Sequence, residues 1–424
     1  MTLVCEPSTL CGSVEIPGSK SHTIRAVAIA ALADGESEIR EPLDSDDARS
    51  AVAVYRALGA DIEVQPRAWR AKGVAGEPRT PHSVIDVGNS GTTLNVALGT
   101  CALLRSGMAV LTGDDQVRRR PSGPLAASLN DLGAVVRSTR DNGCPPFVVE
   151  GKLRGGETSI EAVSSQFLTS LLINAPLAEG DSHIRVPLLN ERPYVEMTLD
   201  WLDRQGIRLE RQGLGEFRIP GGQCYRGFER RIPGDFSSAT FFLAAGALGD
   251  NDIVCVGLDM ADTQGDRAVV DYLRRMGARV DVQPDRIRVR GGNLVGCEID
   301  LNDTPDALPM LAVLGCFAKG TTRLMNVPQA RIKETDRITV MKQELERLGG
   351  RVEELPEGLV VHERPLRGGD VDGQGDHRVI MALAIAGCAT PGRTEIHGHE
   401  AVGVTFPTFL DCLSTLGGKV RLVD

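Results

Sequence analysis

Pro17-Gly18-Ser19-Lys20-Ser21-His22-Thr23-Ile24-Arg25-Ala26-Val27-Ala28-Ile29-Ala30-Ala31-Leu32 opens on small and charged residues and runs into a helical stretch, Ser21 to Leu32, that is apolar almost all round. A helix without a polar face belongs in an interior. The next segments are different in kind. Glu36 to Glu41 is a weak, mostly polar strand candidate, and Ala48 to Leu58 is amphipathic with apolar spacing near 3.6. Asp61-Ile62-Glu63-Val64 and Trp69 to Val74 then read as a hairpin. With the strand-like Cys11 to Pro17 in front, the unit is strand, helix, strand, helix, strand, strand.

This grammar returns six times, at intervals of about 70 residues. The openers are Ser19-Lys20-Ser21, Asn89-Ser90-Gly91-Thr92, Ser164-Ser165-Gln166, Phe236-Ser237-Ser238, Pro305-Asp306-Ala307 and Asp376-His377-Arg378. Each second helical run ends in a Gly-containing tail: Leu58-Gly59, Leu132-Gly133, Gln205-Gly206, Met276-Gly277, Leu348-Gly349 and Leu416-Gly417. Six helix N-termini, with their unbonded N–H groups, therefore fall at equivalent places. A parallel solenoid would need shorter repeats and distinct caps. Units of this size point instead to two clusters of three, each enclosing its own buried helices. No low-complexity linker interrupts the chain, so the boundary is expected near Ile232-Pro233-Gly234-Asp235, with a second crossing near Gly18-Ser19. The domains are then residues 19–233, and 1–18 together with 234–424.

The chain has 424 residues, 42% hydrophobic and 25% charged, the composition of a soluble globular protein. Its start, Met1-Thr2-Leu3-Val4-Cys5-Glu6-Pro7, has no basic region followed by an apolar stretch, and no run approaches 18 uninterrupted apolar residues. Neither a signal peptide nor a membrane span is expected. Ten scattered cysteines without a CxxC pair fit a reduced, cytoplasmic protein using Cys as a small hydrophobe. A net charge of −10 argues against nucleic acid and against an anionic membrane surface. Small anionic substrates remain open, since cations need only be concentrated in one cleft.

Each opener has a bland reading and a chemical one. Ser19-Lys20-Ser21 with Arg25 offers hydroxyls, N–H groups and two cations on one face, suited to phosphate or carboxylate, yet alone it is a Ser N-cap beside solvated cations. Gly88-Asn89-Ser90-Gly91-Thr92-Thr93 can bring backbone close to an anion. Val117-Arg118-Arg119-Arg120-Pro121 is by default a solvated charge run. Ser164-Ser165-Gln166 suits hydroxyls or phosphate and equally a cap. Asp306 precedes a long apolar stretch, where desolvation would raise its pKa and suit it to general-base work, or where it simply caps the helix. In Gln329 to Arg337, Lys333 and Arg337 stand i,i+4 and would share one helix face. His397 and His399 have no further ligands at metal spacing, so no metal site is expected. The cations Lys20, Arg25, Arg120, Lys333, Arg337 and Arg378 all fall at the same end of their units, and two domains meeting through those ends would enclose a cationic cleft.

The stretches Pro17-Gly18-Ser19-Lys20-Ser21, Gly88-Asn89-Ser90-Gly91-Thr92, Arg120-Pro121, Ser164-Ser165-Gln166-Phe167, Pro305-Asp306-Ala307, Arg331-Ile332-Lys333-Glu334-Thr335-Asp336-Arg337 and Asp376-His377-Arg378 resemble the 5-enolpyruvylshikimate-3-phosphate synthase family, in order and over essentially the whole chain. The resemblance implies a two-domain inside-out α/β barrel, each domain three βαβαββ repeats. It implies a transferase of the shikimate pathway to chorismate and aromatic amino acids, the target of glyphosate. That reaction moves the carboxyvinyl group of phosphoenolpyruvate to the 5-hydroxyl of shikimate-3-phosphate and releases phosphate. By similarity, Lys20, Ser21, Arg25, Ser164, Ser165, Gln166, Tyr194, Asp306, Gln329 and Lys333 would contact shikimate-3-phosphate. Lys20, Asn89, Gly91, Arg120, Gln166, Arg337 and Arg378 would contact phosphoenolpyruvate. Asp306, Lys333, Glu334 and His377 would be catalytic, Asp306 taking the hydroxyl proton and Lys333 or Glu334 handling the proton at the methylene carbon. No cofactor is implied, and a monomer is the default.

Three positions depart from the family pattern: Val404 where some members carry Lys, Asn95 where Arg is usual, and Glu191 where many have Ser. A carboxylate at 191 should repel a sugar phosphate unless Arg192 neutralises it. The related transferase acting on UDP-N-acetylglucosamine places Lys-Asn near its N-terminus and a loop Cys. Here Ser21 comes after Lys20, and Gly113 to Pro121 has no Cys. A non-catalytic paralogue would not need Asp306, Lys333, Glu334 and His377 together.

Overall fold

A computed structural model of the protein describes residues 2–423. Among them, twelve α-helices alternate between two kinds. The odd-numbered ones come after the openers: α1 (Lys20–Leu32), α3 (Gly91–Cys101), α5 (Ser165–Asn174), α7 (Phe236–Gly246), α9 (Leu308–Phe317) and α11 (His377–Ala389). The even-numbered ones have one buried and one exposed face, charged in all but α4 and α12: α2 (Asp46–Ala57), α4 (Gly123–Asp131), α6 (Arg192–Arg204), α8 (Val269–Arg275), α10 (Arg337–Arg347) and α12 (Phe409–Thr415). Every residue of α7 is buried, as its lack of a polar face requires. Phe241 and Phe242 pack there against Phe406 and Phe409, each ring adding about 1.5–3 kcal/mol of burial.

Five of the six openers contain or directly follow an N-cap, and the other, Pro305-Asp306-Ala307, is a 3₁₀ turn that leads into α9 without a side-chain cap. Ser19, Ser90, Ser164, Asp235 and Asp376 each accept a backbone N–H from the first turn of their helix. Gly59, Gly133, Gly206, Gly277, Gly349 and Gly417 all have φ between 70° and 102°. Each ends an even-numbered helix in the left-handed region, where a side chain would be strained. Helix starts and stops thus recur because the same local hydrogen-bonding problem recurs.

Six four-stranded sheets share one pattern, a parallel strand, a middle strand and an antiparallel pair, and in five of them that pair is a hairpin. The weak polar strand forms as Glu36–Arg40, with Ser37 and Ile39 facing inward. The chain divides into two compact units, residues 18–232 and residues 2–17 with 233–423. Each holds three of the apolar helices and three of the sheets, an α/β barrel with its helices inside.

The repeats are interleaved where the chain changes unit, which corrects the sequence expectation that Cys11 to Pro17 opens the first repeat. Cys11–Glu15 pairs in parallel with Asp252–Val256, Val14 opposite Cys255. Its expected place beside Glu36–Arg40 is taken by Glu229–Arg231. Thr2–Glu6 sits between Thr394–His397 and Lys419–Val423, completing the sixth sheet from the other end of the chain. A strand must satisfy its ladder in the unit where it lies, and both N-terminal strands precede the crossing. All ten cysteines are unbridged, and among the described residues no helix is long and apolar enough to cross a membrane.

Candidate active site

In residues 18–232 the helices α1, α3 and α5 present their first turns. Arg25, one turn into α1, is buried. Its Nε donates to Thr198 Oγ1 (2.9 Å), Nη1 to the Ser21 carbonyl (2.9 Å), and Nη2 to Thr169 Oγ1 (3.2 Å) and the Tyr194 carbonyl (2.9 Å). These are neutral groups, and burial pulls the guanidinium down to about 10, so it stays charged at neutral pH. No carboxylate is among these four hydrogen-bond partners. Lys20 pairs with the buried Asp47 at 3.1 Å.

The Gly-rich opener lies under Arg120. A Cβ built on Gly91 would stand 2.8 Å from Arg120 Nη1, so the missing side chain makes room for the guanidinium. Asn89 Nδ2 donates to Asp114 Oδ2 (2.6 Å) and Gln116 Oε1 (2.7 Å), which commits both amide hydrogens to holding the loop before Arg120. Gln166 is gripped at both ends, its Oε1 accepting from Asn95 Nδ2 (2.8 Å) and its Nε2 donating to Thr92 Oγ1 (3.0 Å). Ser164 caps α5.

Ser165 donates from Oγ (2.6 Å) and from its backbone N–H (3.2 Å) to Glu191 Oε2. Glu191 is buried, with a left-handed φ of 57°. The Glu191 carboxylate is met by two Ser165 donors at a helix N-terminus, a partner not legible in the sequence.

In residues 233–423 the charges gather on Arg337, the first residue of α10 and fully buried. Nε and Nη2 donate to Asp376 (2.8 and 3.2 Å), Nη1 to Asp306 Oδ1 (2.7 Å) and Nη2 to Glu334 Oε2 (2.5 Å). Burial alone would pull this guanidinium down, but Asp376, Glu334 and Asp306 hold it above its ordinary value. Arg378 Nη2 lies 2.9 Å from Asp306 Oδ2, so Asp306 bridges two arginines. In the sequence Asp306 stands beside an apolar stretch, and these two charge partners are not legible there. Asp376 also caps α11 through the Arg378 and Val379 N–H groups.

Lys333 and Arg337 do not share a helix face. Pro328–Ile332 is a 3₁₀ turn, Lys333 comes directly after it, and Asp336 caps α10 by accepting the Thr339 N–H (3.1 Å). An Asp at the cap and three acids around Arg337 favour a helix start there over a continuous helix. Gln329 is buried and donates to the Asn302 carbonyl (2.8 Å). His377 is the first residue of α11 and is buried.

A family model of EPSP synthase (3-phosphoshikimate 1-carboxyvinyltransferase) matches residues 4–413. The 3-phosphoshikimate 1-carboxyvinyltransferases of Acetivibrio thermocellus and Ruminiclostridium cellulolyticum are 53% and 50% identical, over 100% of this chain and 100% of each relative. This chain belongs to the EPSP synthase family. Among solved structures, the EPSP synthase of Acinetobacter baumannii superposes with a TM-score of 0.84 at 26% identity, covering 100% of both chains.

Within this EPSP synthase family member, the sequence-derived residues form local groups. Arg25, Ser21 and Tyr194 meet in one, Gly91, Arg120 and Gln166 in a second, and Asp306, Glu334, Arg337 and Arg378 in a third. Sequence reasoning missed Asp47, Thr169, Thr198 and Ser122. Asp47 had a faint signal: it ends the acid-rich Asp44-Ser45-Asp46-Asp47 on the buried side of α2. The threonines had none: Thr169 is one of several small polar residues within the buried α5, and Thr198 is one polar residue on the amphipathic α6. Val404 ends the 3₁₀ turn His399–Val404.

Proposed function

We propose that this chain carries out the transfer of the family, moving the carboxyvinyl group of phosphoenolpyruvate onto the 5-hydroxyl of shikimate-3-phosphate with release of phosphate. Its residues divide the work between binding and proton transfer. Lys20, Ser21, Arg25, Ser164, Ser165, Gln166, Tyr194 and Gln329 hold shikimate-3-phosphate, Arg25 supplying the buried positive charge. Lys20, Gly91, Arg120, Gln166, Arg337 and Arg378 hold phosphoenolpyruvate, and Asn89, whose amide hydrogens hold the loop, serves that site through its backbone. Asp306 takes the proton of the 5-hydroxyl as that oxygen bonds to C2 of phosphoenolpyruvate. Lys333 or Glu334 delivers a proton to the methylene carbon, giving a tetrahedral adduct. Loss of that proton and departure of phosphate restore the double bond, and His377 completes the proton-handling set.

The observation that carries this assignment is the bridging of Asp306 by Arg337 and Arg378. A carboxylate between two guanidinium groups is held in a fixed orientation. A substrate anion that engages the same arginines competes with Asp306 for them and frees an oxygen for the hydroxyl proton. Preplaced cations around anionic substrates also supply charge stabilisation without reorganisation.

The test is phosphate release with both substrates, the enolpyruvyl product being identified by mass. Turnover is expected only when both are present. No release, or release with UDP-N-acetylglucosamine in place of shikimate-3-phosphate, would overturn the assignment. The enzyme is proposed to act as a cytoplasmic monomer without a cofactor, and sedimentation at the 45.3 kDa of one chain checks the oligomeric state.

A further inference from the structure

We propose that Asn95 is a positioning residue that locks together the phosphoenolpyruvate-contacting elements of residues 18–232, an inference that rests on the site assignment above. Asn95 lies on α3 and is only 6% exposed. A buried side-chain amide has to find partners for its two hydrogens and its oxygen. Asn95 Nδ2 donates to the Gly91 carbonyl (3.0 Å) and to Gln166 Oε1 (2.8 Å), and its Oδ1 accepts from Ser122 Oγ (2.8 Å).

Those partners belong to three separate segments. Gly91 starts α3, Gln166 lies in the first turn of α5, and Ser122 comes after Arg120-Pro121 at the entry to α4. Arg120 itself lies over Gly91. One uncharged side chain thus ties together the neighbourhoods of Gly91, Arg120 and Gln166. It also settles the Gln166 amide. With Oε1 engaged by Asn95 and one Nε2 hydrogen given to Thr92 Oγ1, a single N–H remains for an anionic oxygen. Asn95 supplies register and not charge: it holds the donors still and leaves the charge to Arg120. Such preorganisation acts on binding and rate together.

A double-mutant cycle and a spectroscopic readout test this. Asn95→Ala should lower kcat/KM for phosphoenolpyruvate about tenfold or more. If Asn95 acts through Gln166, adding Asn95→Ala to Gln166→Ala should cost less than about a further twofold. Multiplying, independent losses would overturn the proposal, and so would an Asn95→Ala enzyme within about twofold of wild type. A residue that only stabilised the fold would lower Tm and give independent losses.

The second readout does not depend on turnover. The Gln166 side-chain NH₂ resonance, assigned by its absence in Gln166→Glu, should move in Asn95→Asp, which keeps the size of Asn but loses the donors. An unmoved resonance overturns the proposal. Should the wild-type chain fail to turn over, the proposed function is what fails, and the resonance still decides the role of Asn95.

Discussion

Replacing Asp306 by Asn keeps the shape of the side chain and removes its charge. Asp306 Oδ1 accepts from Arg337 Nη1 at 2.7 Å, and Oδ2 pairs with Arg378 Nη2 at 2.9 Å. Arg337 keeps Asp376 and Glu334, so the fold loses one of three carboxylates around a buried cation, a cost of about 1–3 kcal/mol. Chemistry loses more. Removing a general base lowers kcat by roughly 10²–10⁴, or about 2.7–5.4 kcal/mol of transition-state stabilisation. The two arginines meanwhile lose an internal competitor for substrate anions, so KM for phosphoenolpyruvate should stay level or fall. Steady-state phosphate release with each substrate varied, beside calorimetric melting, separates these effects. A kcat within about tenfold of wild type, or an unchanged kcat with a raised KM, would refute the reasoning.

Gly91→Ala sets a methyl 2.8 Å from Arg120 Nη1, which must shift; KM for phosphoenolpyruvate should rise about tenfold while Tm holds, and an unchanged KM would detach Arg120 from that substrate. Asp376→Asn keeps a helix cap but breaks the buried pair with Arg337, costing about 2–4 kcal/mol, and Asp376→Ala should cost about 1 kcal/mol more. Denaturant titration in which the two variants unfold alike would remove the cap from the account. Arg25→Met relieves the desolvation of a buried cation, so Tm should hold or rise. Shikimate-3-phosphate near 100 times Kd should add about 2.7 kcal/mol to the wild type and nothing to this variant, and a shift retained by Arg25→Met would exclude Arg25 from binding.

Much of the fold was legible because its signals are local. A Ser or Asp before an apolar run reads as an N-cap, as at Ser90 and Asp376, although at Asp306 two distant arginines claim the carboxylate instead. A Gly after an amphipathic run is a left-handed stop, as at Gly59 and Gly277. The site was legible only as a set of residue types at the ends of repeats. The grouping of Asp306 with Arg337 and Arg378 joins residues 31 or more apart in the chain, and no spacing rule announces it. Glu191 looked like a repulsive intrusion, yet Ser165 receives it.

Sequence by itself determined the repeat, the apolar helices that must be buried, and the caps and stops that bound them, since these depend on hydrogen bonds and periodicity within a few residues. Tertiary structure alone decided which strand closes which sheet and which charge faces which. Thr2–Glu6 pairs with Lys419–Val423, and Arg337 finds Asp376, because packing of apolar faces brings distant segments together and only then lets their polar groups compete for partners.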